Sequence, residues 1–209
     1  MHLFTEDLHN VVAPFFASVE ENTYCPIVKE MAVDTDFYKV QDQYHGGNGI
    51  NFNFKANNRF SLISKSKGVM YLATMPHTGL KEYYQDYEFI DKEDDLVGNC
   101  MAEIQAARTI KIIDLAALAP LLKTALGDLM GPKTVYADTQ LLAEVLSNYA
   151  DGMEYLSRHT GKPCIALWSD AVDGNGMLKN LSVTPLTEYC HNGMSAEQIL
   201  KSQLNYLVI

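Results

Sequence analysis

Apolar residues in this chain come in short runs. Gly68 to Ala73, Thr109 to Asp114, Met153 to Leu156, Pro163 to Trp168 and Leu181 to Leu186 are each the length of one strand. None approaches the roughly 18 residues that a membrane-spanning helix requires. Segments with helical spacing lie between them, so the expected class is mixed, α/β or α+β. With 47% hydrophobic residues, the 209 positions suffice to close one core, and a single domain over residues 1–209 is expected.

A first helix is expected over residues 5–22, inside an N-terminal extension (residues 1–30) packed on the domain. Thr5 suits an N-cap, and Leu8, Val11, Val12, Phe15, Phe16 and Val19 share a face, although Pro14 argues for a kink. A short strand, Asp36 to Val40, precedes a loop in which Gly46, Gly47 and Gly49 permit positive φ. Polar residues carry that loop to Asn58. Pro76 opens a helix reaching about Gln85, because a missing N–H does no harm in a first turn. The acidic stretch Asp91 to Asp95 reads as a solvated turn. Leu115 to Leu122 suits a short helix. Asp138 is expected to cap a helix running to Tyr149, with Leu141, Leu142, Val145, Leu146 and Tyr149 on one face. Ser195 to Leu204 forms the last helix.

Lys and Arg number 16 against 26 Asp and Glu, a formal net charge of −10. Such a chain repels a phosphate backbone, so no direct nucleic-acid binding is expected. Lys55, Arg59, Lys65 and Lys67 form a weak basic cluster, either a solvated loop or a local phosphate site. The four cysteines, Cys25, Cys100, Cys164 and Cys190, include no C-x-x-C pair, which argues for reduced thiols and against zinc. The first residues lack the basic region of a signal peptide. The expected location is a cytoplasm, either of the producing cell or of a target cell, with no membrane partner. H-E-x-x-H, G-x-S-x-G and Walker patterns are absent, and the six histidines are scattered, so neither a metalloenzyme nor a triad hydrolase is expected.

A different set of residues stands out. Lys39 ends its strand, Arg59 lies in Asn57-Asn58-Arg59-Phe60-Ser61, and Tyr71 lies in the apolar run. Glu82 rides the helix that follows, and Ser157-Arg158 closes Gly152-Met153-Glu154-Tyr155-Leu156-Ser157-Arg158. Taken singly, each has a plain reading. Lys39 suits a strand-edge charge, Arg59 a surface ion pair, Tyr71 a core tyrosine, Glu82 a solvated helix residue and Ser157 a strand end.

Taken together, in this order and spacing, residues 36 to 190 resemble the RES family. The resemblance rests on Arg59-Phe60-Ser61, Gly68 to Ala73, the Glu82 helix, Thr139-Gln140-Leu141-Leu142-Ala143 and Gly152 to Arg158. Two departures stand out: Lys39 occupies a position where the family usually has arginine, and Asn57-Asn58-Arg59-Phe60-Ser61 replaces its G-G-R-W-N. The resemblance implies an ADP-ribosyltransferase-like fold, with short split sheets around an NAD+-binding cleft and flanking helices. It implies a bacterial toxin that breaks down NAD+ by hydrolysis or phosphorolysis and is neutralised by an antitoxin or immunity protein covering the cleft. Its alternatives are transfer of ADP-ribose to a macromolecule, or a non-catalytic nucleotide- or partner-binding domain.

The residue types suit that chemistry. Cleavage at ribose C1′ releases nicotinamide as a neutral ring and leaves positive charge on the sugar, which a carboxylate such as Glu82 stabilises. Under the resemblance Arg59 and Lys39 hold the diphosphate, since guanidinium and ammonium groups offset phosphate charge. Tyr71 stacks on the nicotinamide or ribose, Ser157 bonds the substrate near the scissile bond, and Arg158 adds a second phosphate contact. No prosthetic group is expected; NAD+ is substrate.

Overall fold

A computed structural model describes residues 4, 7–20 and 27–209, with the backbone only for residues 18–20. The first half runs α1 (Leu8–Glu20), β1 (Val28–Met31), β2 (Asp36–Asp42), β3 (Gly68–Ala73), α2 (Pro76–Tyr83), β4 (Phe89–Ile90) and β5 (Asn99–Ala106). Next come β6 (Ile110–Asp114), α3 (Leu115–Leu121), α4 (Leu126–Leu129), α5 (Tyr136–Leu146), β7 (Gly152–Leu156) and β8 (Pro163–Ser169). The chain closes with β9 (Leu178–Pro185), β10 (Cys190–His191), β11 (Met194–Ser195), α6 (Ala196–Ser202) and β12 (Leu207–Val208).

Eight strands form one mixed sheet in the order β1-β6-β7-β8-β3-β2-β5-β9. Its weak point is the seam between β2 and β3. These strands share one registered pair, Tyr38 with Ala73, whereas β3 and β8 pair along all of Gly68 to Ala73. The expected split between sheet halves is this seam, and the cleft opens along it.

Strand alternation sorts the side chains into two layers. Val69, Tyr71 and Ala73 of β3 face the core beneath α1, α3 and α5, where Leu8, Val12, Phe16, Leu118, Leu142 and Leu146 are buried. Met70 and Leu72 face the other way, into a core shared with Phe37 of β2, Ile104 of β5, Ile112 of β6 and Ile165 of β8. Side chains from both halves of the sheet meet there because the sheet curls, as twisted strands do. A third cluster joins Leu80 and Tyr84, from α2 and its end, to Ile199 and Leu200 of α6 and Val208 of β12.

Several local expectations change. Residues 28–30, assigned to the N-terminal extension, pair with β6 together with Met31 as an edge strand of the main sheet. β5, which the sequence reading left out, is a strand between β2 and β9. The acidic stretch is a π-helical turn, Lys92–Leu96, whose first N–H groups donate to the Asp91 carboxylate. α5 begins at Tyr136, so Asp138 lies buried inside its first turn and is not its cap, and Leu141 faces solvent. α1 continues through Pro14 and stacks Phe16 on Tyr149 with ring centroids 4.3 Å apart. Thr5, Cys25 and residues 21–26 lie outside the described residues.

Candidate active site

The seam leads into a cavity of about 490 Å³, within the range of small-molecule sites. Tyr71, Tyr155 and Cys164 lie on its floor. They share one face of three adjacent strands, since Tyr155 pairs with Cys164, and Cys164 with Ala73 two residues beyond Tyr71. α2 forms one wall. Pro76 starts it, and at Gly79 it packs against β2, where even an added Cβ would meet the Tyr38 carbonyl oxygen at an ordinary 3.5 Å. That approach brings Glu82, one turn on, to the cavity.

Ser157 lies just past the end of β7 and is buried. Its hydroxyl donates a 2.6 Å hydrogen bond to Glu82 Oε1 and accepts from the backbone N–H groups of His159 and Thr160, each at 3.2 Å. The hydroxyl is therefore held from one side and orients the carboxylate on the other. The Glu82 charge and burial together push the Cys164 thiol up to about 12, burial being the larger cause.

The opposite wall is the turn carrying Arg59, and almost every backbone group of that turn is held by a side chain. Tyr71 Oη accepts from Phe60 N–H at 2.9 Å, and Trp168 Nε1 donates to Phe60 O at 2.9 Å. Thr139 Oγ1 donates to Arg59 O at 2.8 Å, Gln140 Nε2 to Asn58 O at 2.9 Å, and Asn58 N–H to Ser61 Oγ at 2.9 Å. Thr139 entered only as part of a segment carrying the resemblance, and Trp168 had no expected site role; their partners lie far along the chain, so no local pattern reveals these bonds.

Arg59 lies with its guanidinium 4.9 Å from the centre of the Tyr136 ring and donates from Nη1 to Leu129 O at 3.0 Å. Burial pulls its pKa down and the neighbouring charge of Arg158 adds to that, yet an arginine stays a cation. Of the basic cluster at residues 55–67, only Arg59 reaches the cavity. Lys65 donates to Ala56 O and Lys67 to Ser147 O, so these lysines do not converge with Arg59 on the cavity.

Glu82, Tyr71, Arg59 and Arg158 thus gather around one cleft, with Ser157 buried behind Glu82 and bonded to its carboxylate. Lys39 lines the same cavity from a different direction. Tyr38 pairs with Ala73, so Tyr38 shares the face of Tyr71, and its neighbour Lys39 points to the opposite face with Phe37. Lys39 Nζ donates to Gly49 O at 3.2 Å, and burial holds its pKa below the ordinary lysine value. It touches the cleft at its rim and lines an adjoining hollow with Asp42, His45, Asn51 and Tyr83. Tyr71 lines the cavity and has a structural role as well. Its hydroxyl supports the Arg59 turn, and its ring meets Tyr155 edge-on at 6.4 Å.

The helix bearing Glu82 is braced from behind by the C-terminal residues. Lys81 Nζ lies 4.1 Å from the centre of the Tyr206 ring and donates to its hydroxyl at 2.9 Å, while Tyr206 donates to Tyr84 O at 2.6 Å. Among the described residues no group of His, Cys, Asp and Glu is placed to hold a metal ion, and no helix is long and apolar enough to cross a membrane.

Comparison with known proteins adds two findings. The sequence profile of the RES domain matches residues 34–185. A chain of the crystal structure of the M. tuberculosis MbcT–MbcA toxin–antitoxin complex superposes with a TM-score of 0.59 at 13% identity, covering 86% of this chain and 94% of that one. At that identity the likeness is one of fold. No curated protein matches the sequence.

Proposed function

Given that this chain belongs to the RES-domain family, we propose that it is the toxin of a toxin–antitoxin pair and depletes NAD+ by cleaving the nicotinamide–ribose bond. The observation that carries this reading is the pairing of Glu82 with Ser157 in the cleft that also holds Arg59. The fold likeness to a chain of a toxin–antitoxin complex supports the toxin part.

In this reading the bond between ribose C1′ and the pyridinium nitrogen breaks with its electron pair going to nicotinamide, which departs neutral. Positive charge builds on C1′ and the ring oxygen. The Glu82 carboxylate, fixed by Ser157, stabilises that charge without having to reorganise. Water then adds to C1′ and loses a proton, giving ADP-ribose; inorganic phosphate in its place gives ADP-ribose 1″-phosphate. Tyr71, Trp168 and Thr139 hold the turn that presents Arg59 to the diphosphate. NAD+ is substrate, no prosthetic group is invoked, the site of action is a cytoplasm, and the antitoxin acts by covering the cleft.

The test is NMR of the products after incubating the purified protein with NAD+, with and without phosphate. Free nicotinamide with ADP-ribose or its phosphate ester is the expected outcome. An NAD+ pool unchanged under both conditions overturns the reading, and label appearing on a macromolecule instead assigns the cleft to ADP-ribosyl transfer.

A further inference from the structure

Residues 157–162 link β7 to β8, and three side chains of this turn bond to α2 or its end. Ser157 Oγ donates to Glu82 Oε1, His159 Nε2 meets Gln85 Oε1 at 3.1 Å, and the hydroxyls of Thr160 and Thr78 lie 3.2 Å apart. An amide oxygen only accepts, so the imidazole carries its proton on Nε2. Thr78, Glu82 and Gln85 stand at i, i+4 and i+7, on one face of α2 continued just past its end. The turn therefore docks along that face at three points: one turn ahead of Glu82, at Glu82, and one turn beyond it. The turn is itself fixed. Ser157 N–H donates to Lys162 O at 2.9 Å, Gly161 N–H to Ser157 O at 2.8 Å, and Lys162 N–H to Thr160 Oγ1 at 3.3 Å. The opposite face of α2 carries Leu80 and, at its end, Tyr84 into an apolar cluster. Apolar contact is non-directional and does not set the position of a helix along its axis. The bonds on the polar face do. Thr78 is fully buried, a place where a hydroxyl costs stability unless it is bonded, and Thr160 supplies the bond.

We propose that His159 and Thr160 are positioning residues for the cleavage: with Ser157 they form a three-point rack that fixes where α2 holds the Glu82 carboxylate. This assignment rests on the reading of Glu82 as the group that stabilises the sugar cation, and it adds what keeps that group in place. The Ser157 bond alone sets the direction of the carboxylate but leaves an eight-residue helix free to roll or slide about one point. Bonds on either side of it, at Thr78 and Gln85, remove both motions. Placement matters at this step, since a shift of about 1 Å can cost about 10² in rate. Gln85 and Glu82 are among the described residues lining the cleft and His159 and Thr160 are not, so the latter two act on the reaction through α2.

The experiment measures NAD+ cleavage by the wild type, His159→Ala, Thr160→Val and the pair Thr78→Val/Thr160→Val, each also combined with Glu82→Gln. His159→Ala and Thr160→Val are expected to lower kcat about three- to tenfold, the worth of one hydrogen bond, with KM changed by less than about twofold. His159→Gln and Thr160→Ser keep a hydrogen-bonding group in place and should recover most of kcat. The pair Thr78→Val/Thr160→Val leaves no buried hydroxyl unpaired and so guards against simple unfolding, and thermal melts check every variant. In the Glu82→Gln background the rack substitutions should have almost no further effect, because they act through that carboxylate. Proton NMR gives a readout that needs no turnover. The Ser157 hydroxyl, in a 2.6 Å bond to a carboxylate, should give a downfield, slowly exchanging signal that His159→Ala and Thr160→Val broaden. Folded variants with wild-type kcat, losses confined to KM, or losses as large in the Glu82→Gln background overturn the rack. If the wild type leaves NAD+ intact, the proposed reaction falls and the hydroxyl signal decides the rack: broadening in the variants upholds it, and an unchanged signal overturns it.

Discussion

Ser157 Oγ donates a 2.6 Å hydrogen bond to Glu82 Oε1 across 75 residues of sequence, tying the end of β7 to the last turn of α2. Glu82 faces the cleft that opens where β2 and β3 part, Ser157 lies buried behind it, and the bond decides which way the carboxylate points.

Glu82→Gln keeps the shape of that contact and removes the charge. Nicotinamide release should fall by about 10²–10³, the effect typical of losing one electrostatic contact to a transition state. Ser157→Ala keeps the charge and frees the carboxylate, and a smaller loss, about tenfold, is expected. Initial rates of nicotinamide release measure both. A Glu82→Gln variant as fast as wild type would remove the carboxylate from the mechanism.

Tyr71→Phe should act through the backbone. It deletes the acceptor for the Phe60 N–H, which is fully buried, at a cost of about 1–3 kcal/mol. For a chain of this size that lowers Tm by roughly 2–4 °C per kcal/mol. Trp168→Phe removes the donor to the same residue's carbonyl, so the two losses should not add in the double variant. If Tyr71→Phe melts like wild type and loses activity, the phenol acts on substrate and not on the turn.

Gly152→Ala should destabilise the sheet. A Cβ there would sit 2.4 Å from Ala166 O, a backbone atom of the paired strand. Backbone cannot yield as a side-chain tip can, so a loss of about 1–3 kcal/mol in urea unfolding is expected. An unchanged midpoint would show that β7 shifts freely.

Stability should decline at alkaline pH. The Cys164 thiol is pushed from 9.0 to about 12, mainly by burial and further by Glu82. Below about pH 9 the native and unfolded chains both hold this proton. Above it the unfolded chain ionises first, so the free energy of unfolding falls as pH rises towards 12. Tyr71 and Tyr155, also raised by burial, steepen the decline. Urea melts at pH 8, 10 and 11 measure the slope, and Cys164→Ala should flatten it. Equal slopes in wild type and variant would sink this assignment.

Much of the framework is legible without coordinates. β3 and β8 are apolar runs buried on both faces, and α2 announces itself with Pro76. The resemblance brought Arg59, Tyr71, Glu82 and Ser157 to notice, and folding places the first three on one cleft with Ser157 bonded behind Glu82. β5 escaped because Asn99, Glu103 and Gln105 are poor strand formers locally; its place between β2 and β9, not its composition, makes it a strand. Periodicity also says that Lys39 and Tyr38 point opposite ways, but not how each meets the cleft that both of them line. That depends on pairing Tyr38 with Ala73, a contact between distant residues. The anchoring of the Arg59 turn by Trp168 and Thr139, and the docking of the Ser157 turn along α2, are of the same kind. Local pattern is written in neighbouring residues, whereas the side that becomes a binding face is chosen when remote segments pack, so it emerges with the closed core.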